Sequence, residues 1–590
     1  MPHVVTQSCC SDASCVYACP VNCIHPTPDE PDFLTAEMLH IDPAACVDCG
    51  ACVSACPVDA IVPQKKLTEP QLQYLSINAD YFTEPHEDRS RIGGTETRPA
   101  LAKVTEAARV ERDRGPLRVA IVGAGPAAMY AADELLTQRG VTVNVFDRLP
   151  VPHGLVRAGV APDHQKTKQV GRLYDTIAAQ PGFEYFLGVE IGRHLTHAEL
   201  LAHHHAVIYA SGASADRALG VPGEGLAGSA SATDFVAWYN GHPDHAGDRF
   251  DLSHRRAVVV GNGNVALDVA RILTTDPDLL AGTDIAPYAL EALRHSRIDE
   301  VVVVARRGFA QSAFTVPEFA GLLDTPGVDV VVDPAEAYLD PASRALADSG
   351  DLDHAVAQKV RLLARLPEPT PGRRRITFRY LLSPTEIHGV DTVAGITFAR
   401  NEFVVGEDGG LGVRVTGETD TVDAGLVLTS IGYRGVPIDG VPFDDARGVI
   451  PNADGRVLDA PGGAAVPGVY ATGWIKRGPS GFIGTNKSCA QGTVGRLVDD
   501  FNRGLLRAPT AGIADLARLV CDRRPETIDR AGWRAIDAEE LRRGAERGRV
   551  REKISDEAEL VAIARSAARP AAPRTGVREV LRRRKEFVTS

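Results

Sequence analysis

One stretch, VAIVGAGPAAMYAADELLTQRGVTVNVFD (Val119 to Asp147), constrains the architecture of the chain more than any other. It begins inside an apolar run, Leu117 to Val122, broken only by Arg118, as suits a parallel strand buried on both faces. Gly123, Gly125 and Ala128 then form a G-x-G-x-x-A turn. The first glycine permits the tight bend, the second lets a pyrophosphate approach the backbone, and the small third residue lets helix pack on strand. A helix is expected from Ala127 to Gln138, stopped at Gly140, with its first N–H groups turned toward phosphate. A second strand, Val141 to Phe146, ends in Asp147. An acid about 20 residues past the glycines accepts an adenosine ribose 2′-hydroxyl. A lone glycine motif is as consistent with an ordinary α/β turn. Strand, helix, second strand and terminal acid in register specify an adenine dinucleotide site.

The pattern recurs. A strand at Ala257 to Val260 leads into Gly261-Asn262-Gly263-Asn264-Val265-Ala266 and a helix through Leu273. The next buried strand, Val301 to Ala305, ends in Arg306 and Arg307 where the first unit has Asp147. A carboxylate there would repel a 2′-phosphate, whereas paired guanidiniums bind one bidentately. The first site therefore suits FAD and the second NADP(H) in preference to NAD.

With 590 residues, three or more domains are expected. No run of 18 or more apolar residues exists, so no membrane span is expected. The start, MPHVVTQSCC, lacks the basic and apolar regions of a signal peptide, which leads to a cytoplasmic expectation. The net charge of −13 is uneven: residues 1 to 64 hold eight acids and no Lys or Arg. That acidic head argues against nucleic-acid binding and for docking on a basic protein surface. The run Arg582, Arg583, Arg584, Lys585 reads as a solvated helical tail rather than an RNA or membrane site.

Nine of the eleven cysteines fall in the first 56 residues. The second group, Cys46-x2-Cys49-x2-Cys52-x3-Cys56-Pro57, has the two-cluster ferredoxin spacing, whose fourth cysteine serves the other cluster. Cys46, Cys49 and Cys52 are thus expected to share a [4Fe–4S] cluster with the distant Cys19. The first group departs from the rule, because Asp12 stands where a second cysteine is due between Cys9 and Cys15. Cys9, Cys15 and Cys56 would hold a [3Fe–4S] cluster, or Asp12 would supply a fourth ligand to a [4Fe–4S] cluster. Cys10 is left unassigned and Cys23 is read as core. Zinc sites use paired C-x2-C units rather than triplets ending in C-P, and disulfides fit neither the spacing nor the absence of a signal peptide. From Pro2 to Pro63 the head resembles seven-iron bacterial ferredoxins, which implies an α+β fold; VYACPVNCI and VSACPVDAI mark its internal repeat.

After Asp147, GLVRAGVAPDHQKTK, GNGNVALDVARIL, ARRG, GYRGVP and GWIKRGPSGFIGTNK resemble adrenodoxin reductase-type ferredoxin–NADP reductases, a likeness that covers Leu117 to Asn502. With its head, the chain resembles the bacterial ferredoxin/ferredoxin–NADP reductase fusions. The resemblance implies an α/β flavoprotein with two Rossmann-like domains. The expected division is ferredoxin 1–63, linker 64–116 with a joint at Tyr81 to Thr97, and FAD domain 117–215. NADP domain 216–424, returning FAD domain 425–505 and helical extension 506–590 complete it. The strand Gly425 to Ser430 is read as the re-entry into the FAD domain, and a stretch near Leu67 to Ile77 as still packing on the head.

The resemblance further implies Leu155, Ile191, Trp474, Gly481, Phe482 and Ile483 beside FAD, with Lys476 and Arg477 flanking. It places Arg217, Glu318 and Gly481 beside NADP. It puts His164 and Asp268 near the flavin edge and nicotinamide, where they would orient rings or relay protons. Gly321 stands where relatives can carry another acid, which weakens any relay built on it. The implied activity is a ferredoxin–NADP(+) reductase: hydride passes from NADPH to FAD, then single electrons to the clusters and to a ferredoxin or cytochrome P450 system. The alternative is an electron-transfer subunit of a larger complex, with mainly structural nucleotide sites.

Overall fold

Each glycine turn sits at the C-terminal edge of its own parallel sheet. The computed structural model describes residues 2–82, 101–104, 106–333, 335–406 and 410–567; the expected joint from residue 83 onward and the run Arg582 to Lys585 lie outside the described residues. The first sheet places Leu117–Val122 between Ala206–Tyr209 and Val141–Asp147, with Phe183–Leu187 beyond the latter. On its other side Ala465–Ala471 runs parallel to Ala206–Tyr209 and carries an antiparallel edge, Arg456–Leu458 and Asn452–Ala453. The second sheet is parallel throughout, in the order Ser229–Ser231, Leu426–Thr429, Arg256–Val260, Glu300–Val304, Arg374–Arg379, Val328–Val332. Val119, Ile121, Val258 and Val259 have no exposed surface, as strands covered on both faces require.

Leu426–Thr429 corrects the expectation that Gly425 to Ser430 re-enters the FAD domain, and with it the boundary at 425. This strand lies inside the second sheet, hydrogen-bonded between Ser229–Ser231 and Arg256–Val260. A short apolar run fits the core of either parallel sheet, and its periodicity does not say which. The crossing comes just after: Tyr433–Arg434 pairs antiparallel with Ala215–Asp216, so the outgoing and returning chains form one two-stranded ribbon. A three-stranded antiparallel sheet, Leu382–Gly389, Val393–Val405 and Leu411–Asp423, covers one face of the second sheet through Ile387, Ile396 and Phe398. It also fixes the turn after Glu300–Val304, because Asn401 Nδ2 donates to Arg306 O at 3.0 Å and Leu381 N to Arg307 O at 3.3 Å.

The head closes by pairing His3–Val5 with Ile61–Pro63 and Ile24–His25 with His40–Ile41, both antiparallel. Its internal repeat is exact in backbone terms. The short helices Ser14–Ala18 and Ala51–Ala55 each follow a left-handed residue (Ala13, φ 59°; Gly50, φ 76°) and each end at an extended cysteine, Cys19 or Cys56. Part of the expected linker is ordered: Gln73–Asp80 is a helix that buries Tyr74, Ile77 and Asn78. Asn78 Oδ1 accepts from Val5 N and Ile41 N at 3.1 and 3.0 Å, and its Nδ2 donates to Val5 O at 2.8 Å, so one side chain ties the helix to two head strands. The same helix reaches the second nucleotide domain, where Tyr74 OH donates to Pro317 O at 3.2 Å and Gln358 Nε2 to Ile77 O at 3.2 Å.

The C-terminal helices Ile513–Arg523, Arg530–Glu546 and Glu557–Ala567 brace both nucleotide domains. Lys553 Nζ, buried, donates to Arg157 O at 2.9 Å and Asn240 Oδ1 at 3.0 Å and ion-pairs with Asp284 at 2.8 Å. Glu540 has no exposed surface; its Oε2 accepts from Arg157 and Arg551 at 2.9 and 2.8 Å, and its Oε1 from Ile554 N at 2.9 Å. Burial raises the proton affinity of this carboxyl, but the two guanidiniums more than offset it and hold the pKa below the ordinary range. Glu540→Ala would leave the buried Arg157 without its carboxylate and Arg551 with Asp537 alone, at a cost of about 3–5 kcal/mol in denaturant unfolding of the brace. A loss under about 1 kcal/mol would show that the pair is solvated instead. Because the folded pKa lies below the unfolded one, the contribution is present above about pH 4.3 and is lost as the pH falls through the folded pKa.

Candidate functional site

The two glycine turns are built alike. Gly123 (φ 108°) donates its N–H to Phe146 O at 2.7 Å, and a Cβ there would run into Ala210 O. Gly261 (φ 118°) donates to Val304 O at 2.9 Å, and a Cβ there would run into Ser430 O. Only glycine permits this conformation at this approach. The helices that follow, Pro126–Leu136 and Asn264–Thr274, have Gly125 and Gly263 as N-caps and no side-chain cap. Their first N–H groups are thus left for an anion. Ala127 and Ala128 are buried at the start of the first helix, and a Cβ on Gly154, beside Leu155, would lie 3.0 Å from Gly125 Cα.

Asp147 accepts from Ala124 N at 2.7 Å and Leu149 N at 2.9 Å, which fixes its carboxylate at the mouth of the first turn. Burial raises its pKa, and the two backbone donors oppose that rise. Leu155 is 42% exposed at the start of Leu155–Ala158, whereas Ile191 is buried with Phe146 and Leu195. In the second turn Asn262 Oδ1 accepts from Ala313 N at 3.4 Å and Asn264 Oδ1 from Thr315 N at 2.8 Å. Among the described residues the Asn262 Nδ2 is buried without a hydrogen-bond partner. Val265 is partly buried beside it. Arg306 and Arg307 are exposed at the end of their strand, and among the described residues neither makes an ion pair with a carboxylate within 4.0 Å. Arg217, also exposed, has its N–H bonded to Gly432 O at 3.2 Å beside the domain-crossing ribbon.

Gly473 joins the first sheet to the turn that follows it; a Cβ there would lie 2.5 Å from that of Ala127, so the turn rests on the helix Pro126–Leu136. Trp474 Nε1 donates to Ser480 O at 3.1 Å, and its ring tilts beside Tyr433 at 5.7 Å. Phe482 N donates to Thr485 Oγ1 at 2.9 Å, next to Gly481 (φ 79°) and ahead of the partly buried Ile483. Lys476 Nζ reaches Thr493 Oγ1 at 3.2 Å, and Arg477 Nη2 reaches Ser480 O and Asn486 Oδ1 at 3.0 and 3.1 Å. Among the described residues Arg477 Nη1 is buried without a hydrogen-bond partner.

His164, Asp268 and Glu318 bring one ligand atom each to within 4.8 Å of one another. His164 Nε2 lies 3.8 Å from Glu318 Oε2. Arg271 Nη2 pairs with Asp268 at 2.6 Å while its Nε pairs with Asp163 at 2.7 Å. Burial raises the Asp268 pKa, and the Arg271 cation opposes the rise. Gln7, from the head, enters this group. Its Nε2 donates to Glu318 Oε2 at 3.1 Å and lies 3.5 Å from His164 Nε2.

The head also seats its first cysteine group on the turn Gly481 to Gly484. Gly484 N donates to Cys10 O at 2.7 Å, and a Cβ on Gly484 would run into the Asp12 backbone. Lys487 Nζ donates to Ser14 Oγ at 3.0 Å and lies 3.9 Å from Asp12 Oδ2. Asp12 is otherwise bound to Ser14, through both the backbone N–H and the hydroxyl. Burial pushes the Cys9 thiol up to about 11 and Cys15 well above its usual value, with Cys56 and Asp12 adding repulsion. Thiols so placed ionise readily only against a cation, which suits a metal cluster. The second cysteine group lines one cavity: Cys19, Cys46, Cys49 and Cys52 face it, with Cys49 exposed at the rim. Cys23 lines it as well, its Sγ 3.4 Å from that of Cys19.

Of the residues singled out in the sequence, the structure brings Gly123, Gly125 and Asp147 together at the first turn, Gly261, Asn262 and Asn264 at the second, and Cys19, Cys46, Cys49 and Cys52 around one cavity. Gln7, Arg271, Gly484 and Lys487 were not among them, since their partners lie on other domains or on a network with no spacing signature.

Comparison with known proteins agrees with this layout. Residues 117–315 match the pyridine nucleotide-disulphide oxidoreductase family, and residues 39–62 match the 4Fe-4S binding domain. A probable ferredoxin/ferredoxin–NADP reductase of Mycobacterium tuberculosis is 56% identical over 575 residues, 96% of each chain. NADPH-ferredoxin reductase FprA of the same organism is 46% identical over 461 residues, 76% of this chain and 99% of that one. The solved structure of Mycobacterium tuberculosis FprA in complex with NADPH superposes with a TM-score of 0.71 at 45% identity, covering 76% of this chain and 99% of that one.

Proposed function

The chain belongs to the ferredoxin/ferredoxin–NADP reductase family, and from that premise we propose how its residues divide the work. It is an NADPH-dependent oxidoreductase that carries its own ferredoxin domain and uses FAD, NADP(H) and iron–sulfur chemistry. The observation that carries the proposal is the contact of Gly484 with Cys10, which sets one cysteine site against the flavin-side turn. When bound, FAD supplies the conversion between a two-electron hydride and single electrons.

For FAD, the turn at Gly123, Gly125 and Ala127 receives the pyrophosphate, Asp147 the ribose, and Leu155 and Ile191 line the cofactor. Trp474 and the backbone of Gly481, Phe482 and Ile483 bound the ring, with the unpartnered Arg477 Nη1 as a further donor. For NADP(H), Asn262, Gly263, Asn264 and Val265 take the phosphates, and Arg306, Arg307 and Arg217 the 2′-phosphate side. Glu318 and Gly481 serve the nicotinamide half, where His164 and Asp268 orient the ring. Cys19, Cys46, Cys49 and Cys52 hold a [4Fe–4S] cluster. Cys9, Cys15 and Cys56 hold a [3Fe–4S] cluster, a reading supported by Asp12, whose carboxylate is turned to Ser14 and Lys487.

The FAD domain comprises 117–215 and the chain from 431 to 505, the NADP domain 216–430, and the helices beyond 506 brace both. Electrons leave to an external one-electron carrier, a ferredoxin or a cytochrome P450 system, on a basic surface that complements the acidic head. Among the described residues no helix is long and apolar enough to cross a membrane.

Anaerobic titration with NADPH, followed by optical and EPR spectra, tests this reading. Flavin absorbance should bleach with the first equivalents, and cluster signals should change without an added carrier. Clusters that stay oxidised while NADPH is not consumed would favour a subunit with structural nucleotide sites. The oxidised wild type should show the EPR signal of a [3Fe–4S] cluster, and Asp12→Ala should leave it unchanged; an EPR-silent oxidised wild type that gains such a signal on Asp12→Ala would make Asp12 a ligand.

A further inference from the structure

We propose that Gln7 of the ferredoxin head is a positioning residue of the reductase site, so that the nicotinamide end is complete only when the head is docked. The inference rests on the reading of His164 and Glu318 given above. Gln7 follows the strand His3–Val5 in a loop pinned on both sides. Thr6 bonds to Ala60 O through its N–H and its hydroxyl at 2.9 and 2.8 Å, and Cys9 N donates to Thr6 O at 3.1 Å. The loop that delivers a cysteine to the first cluster site thereby also delivers an amide to the second nucleotide site.

The fit is reciprocal. Gln7 Nε2 is a donor only, and it meets the Glu318 carboxylate at 3.1 Å. At 3.5 Å from His164 Nε2, the same amide favours the ring tautomer whose proton is on Nδ1, leaving Nε2 as acceptor. Opposite it, Gly321 lies one turn beyond Glu318 in the helix Val316–Leu323. A Cβ at 321 would run into the Gln7 amide, 2.6 Å from its Cδ. Glycine inside a helix is destabilising relative to alanine, so its presence calls for a compensating contact. The Gln7 side chain provides it by filling the space.

Glu318 and His164 are themselves only 20% and 17% exposed, so the amide closes one side of a largely buried group. A residue that merely docked the head would serve as well at the rim, as Gln73 does with its bond to Asp324 at 2.5 Å. Because binding linkage is reciprocal, whatever the head gives to nucleotide affinity, bound nucleotide returns to head docking.

The test uses the full-length holoprotein with both clusters. NADP+ affinity is measured by calorimetry, and kcat and KM for NADPH with ferricyanide. Gln7→Ala should weaken NADP+ by about three- to tenfold and lower kcat, with cluster spectra unchanged. Gln7→Glu sets a carboxylate against Glu318; the loss should be larger, and affinity should recover as the pH falls and the pair takes up a proton. A merely structural contact would show no such pH dependence. Gly321→Ala, made in the other domain, should cost affinity in the wild-type background and little in the Gln7→Ala background. This variant reads the same contact if the Gln7 variants lose clusters. Affinity and kcat/KM within twofold of wild type in Gln7→Ala, Gln7→Glu and Gly321→Ala would overturn the inference. If Glu318→Gln also leaves NADP+ affinity untouched, the underlying reading of the nicotinamide end fails; if it weakens NADP+ while those three variants do not, only the role of Gln7 fails.

Discussion

Cys46→Ser protein is expected to oxidise NADPH with ferricyanide within a few-fold of the wild-type rate. Its reduction of a one-electron protein acceptor such as cytochrome c should fall on the order of 100-fold or more, since even disturbing the groups around metal ligands costs 10–100-fold. The contrast follows from where the cavity lies. Cys46 faces it with Cys19, Cys49 and Cys52, and Cys49 is exposed at the rim, so this is the cysteine site open to an external carrier. The other site, with Cys9, Cys15 and Cys56, adjoins the turn at Gly484. A serine hydroxyl is a poor replacement for thiolate toward iron, so the outer cluster is lost or crippled. Both nucleotide sheets, and the contacts of Gln7 and Gly484 with the reductase, lie outside the cavity lining. EPR of the reduced protein checks the mutant: the [4Fe–4S] signal should vanish while the other cluster remains. Equal loss with both acceptors would mean that the outer site is structural, and the route through it would have to be abandoned.

What the sequence makes legible is local. The glycine turns, Asp147 and the cysteine sets each rest on fixed spacing, and that spacing forces one backbone path: Gly123 and Gly261 can be nothing larger because Ala210 O and Ser430 O stand beside them. The pairing of Cys19 with Cys46, Cys49 and Cys52 was readable for the same reason. The strand Leu426–Thr429 was misassigned because an apolar run carries no label for its sheet; the topology of the second domain decides that. The ordered helix Gln73–Asp80 was half visible. Tyr74, Ile77 and Asn78 recur at helical spacing, but Asn78 looks like a linker residue until Val5 and Ile41 offer it their N–H groups. Gln7 carried no signal at all. Its partners lie more than 150 residues away, and only the docked arrangement of the domains gives the amide its purpose.

Arg306→Ala together with Arg307→Ala should lower kcat/KM for NADPH by roughly 10²-fold while leaving NADH within about twofold. Hydrogen bonds to charged groups contribute about 1.5–3 kcal/mol each, and two guanidiniums on one phosphate reach 3 kcal/mol even at the low end. NADH lacks that phosphate and gains nothing from either cation. The contrast between the two sites gives the argument its weight. After equivalent strands, the first turn ends in an acid held by Ala124 and Leu149, the second in two arginines with no carboxylate partner among the described residues. Among the described residues neither guanidinium has an ion-pair partner, and the backbone carbonyls of both arginines are fixed by Leu381 and Asn401, so the turn is held in place apart from the two side chains. Exposed charges are screened by salt, so the wild-type preference for NADPH should shrink as ionic strength rises, and the double mutant should show almost no such dependence. Steady-state kinetics with both coenzymes at low and high salt decide the matter. If both coenzymes suffer alike, the arginines hold the fold of the turn and not the phosphate, and coenzyme choice must be sought at Arg217.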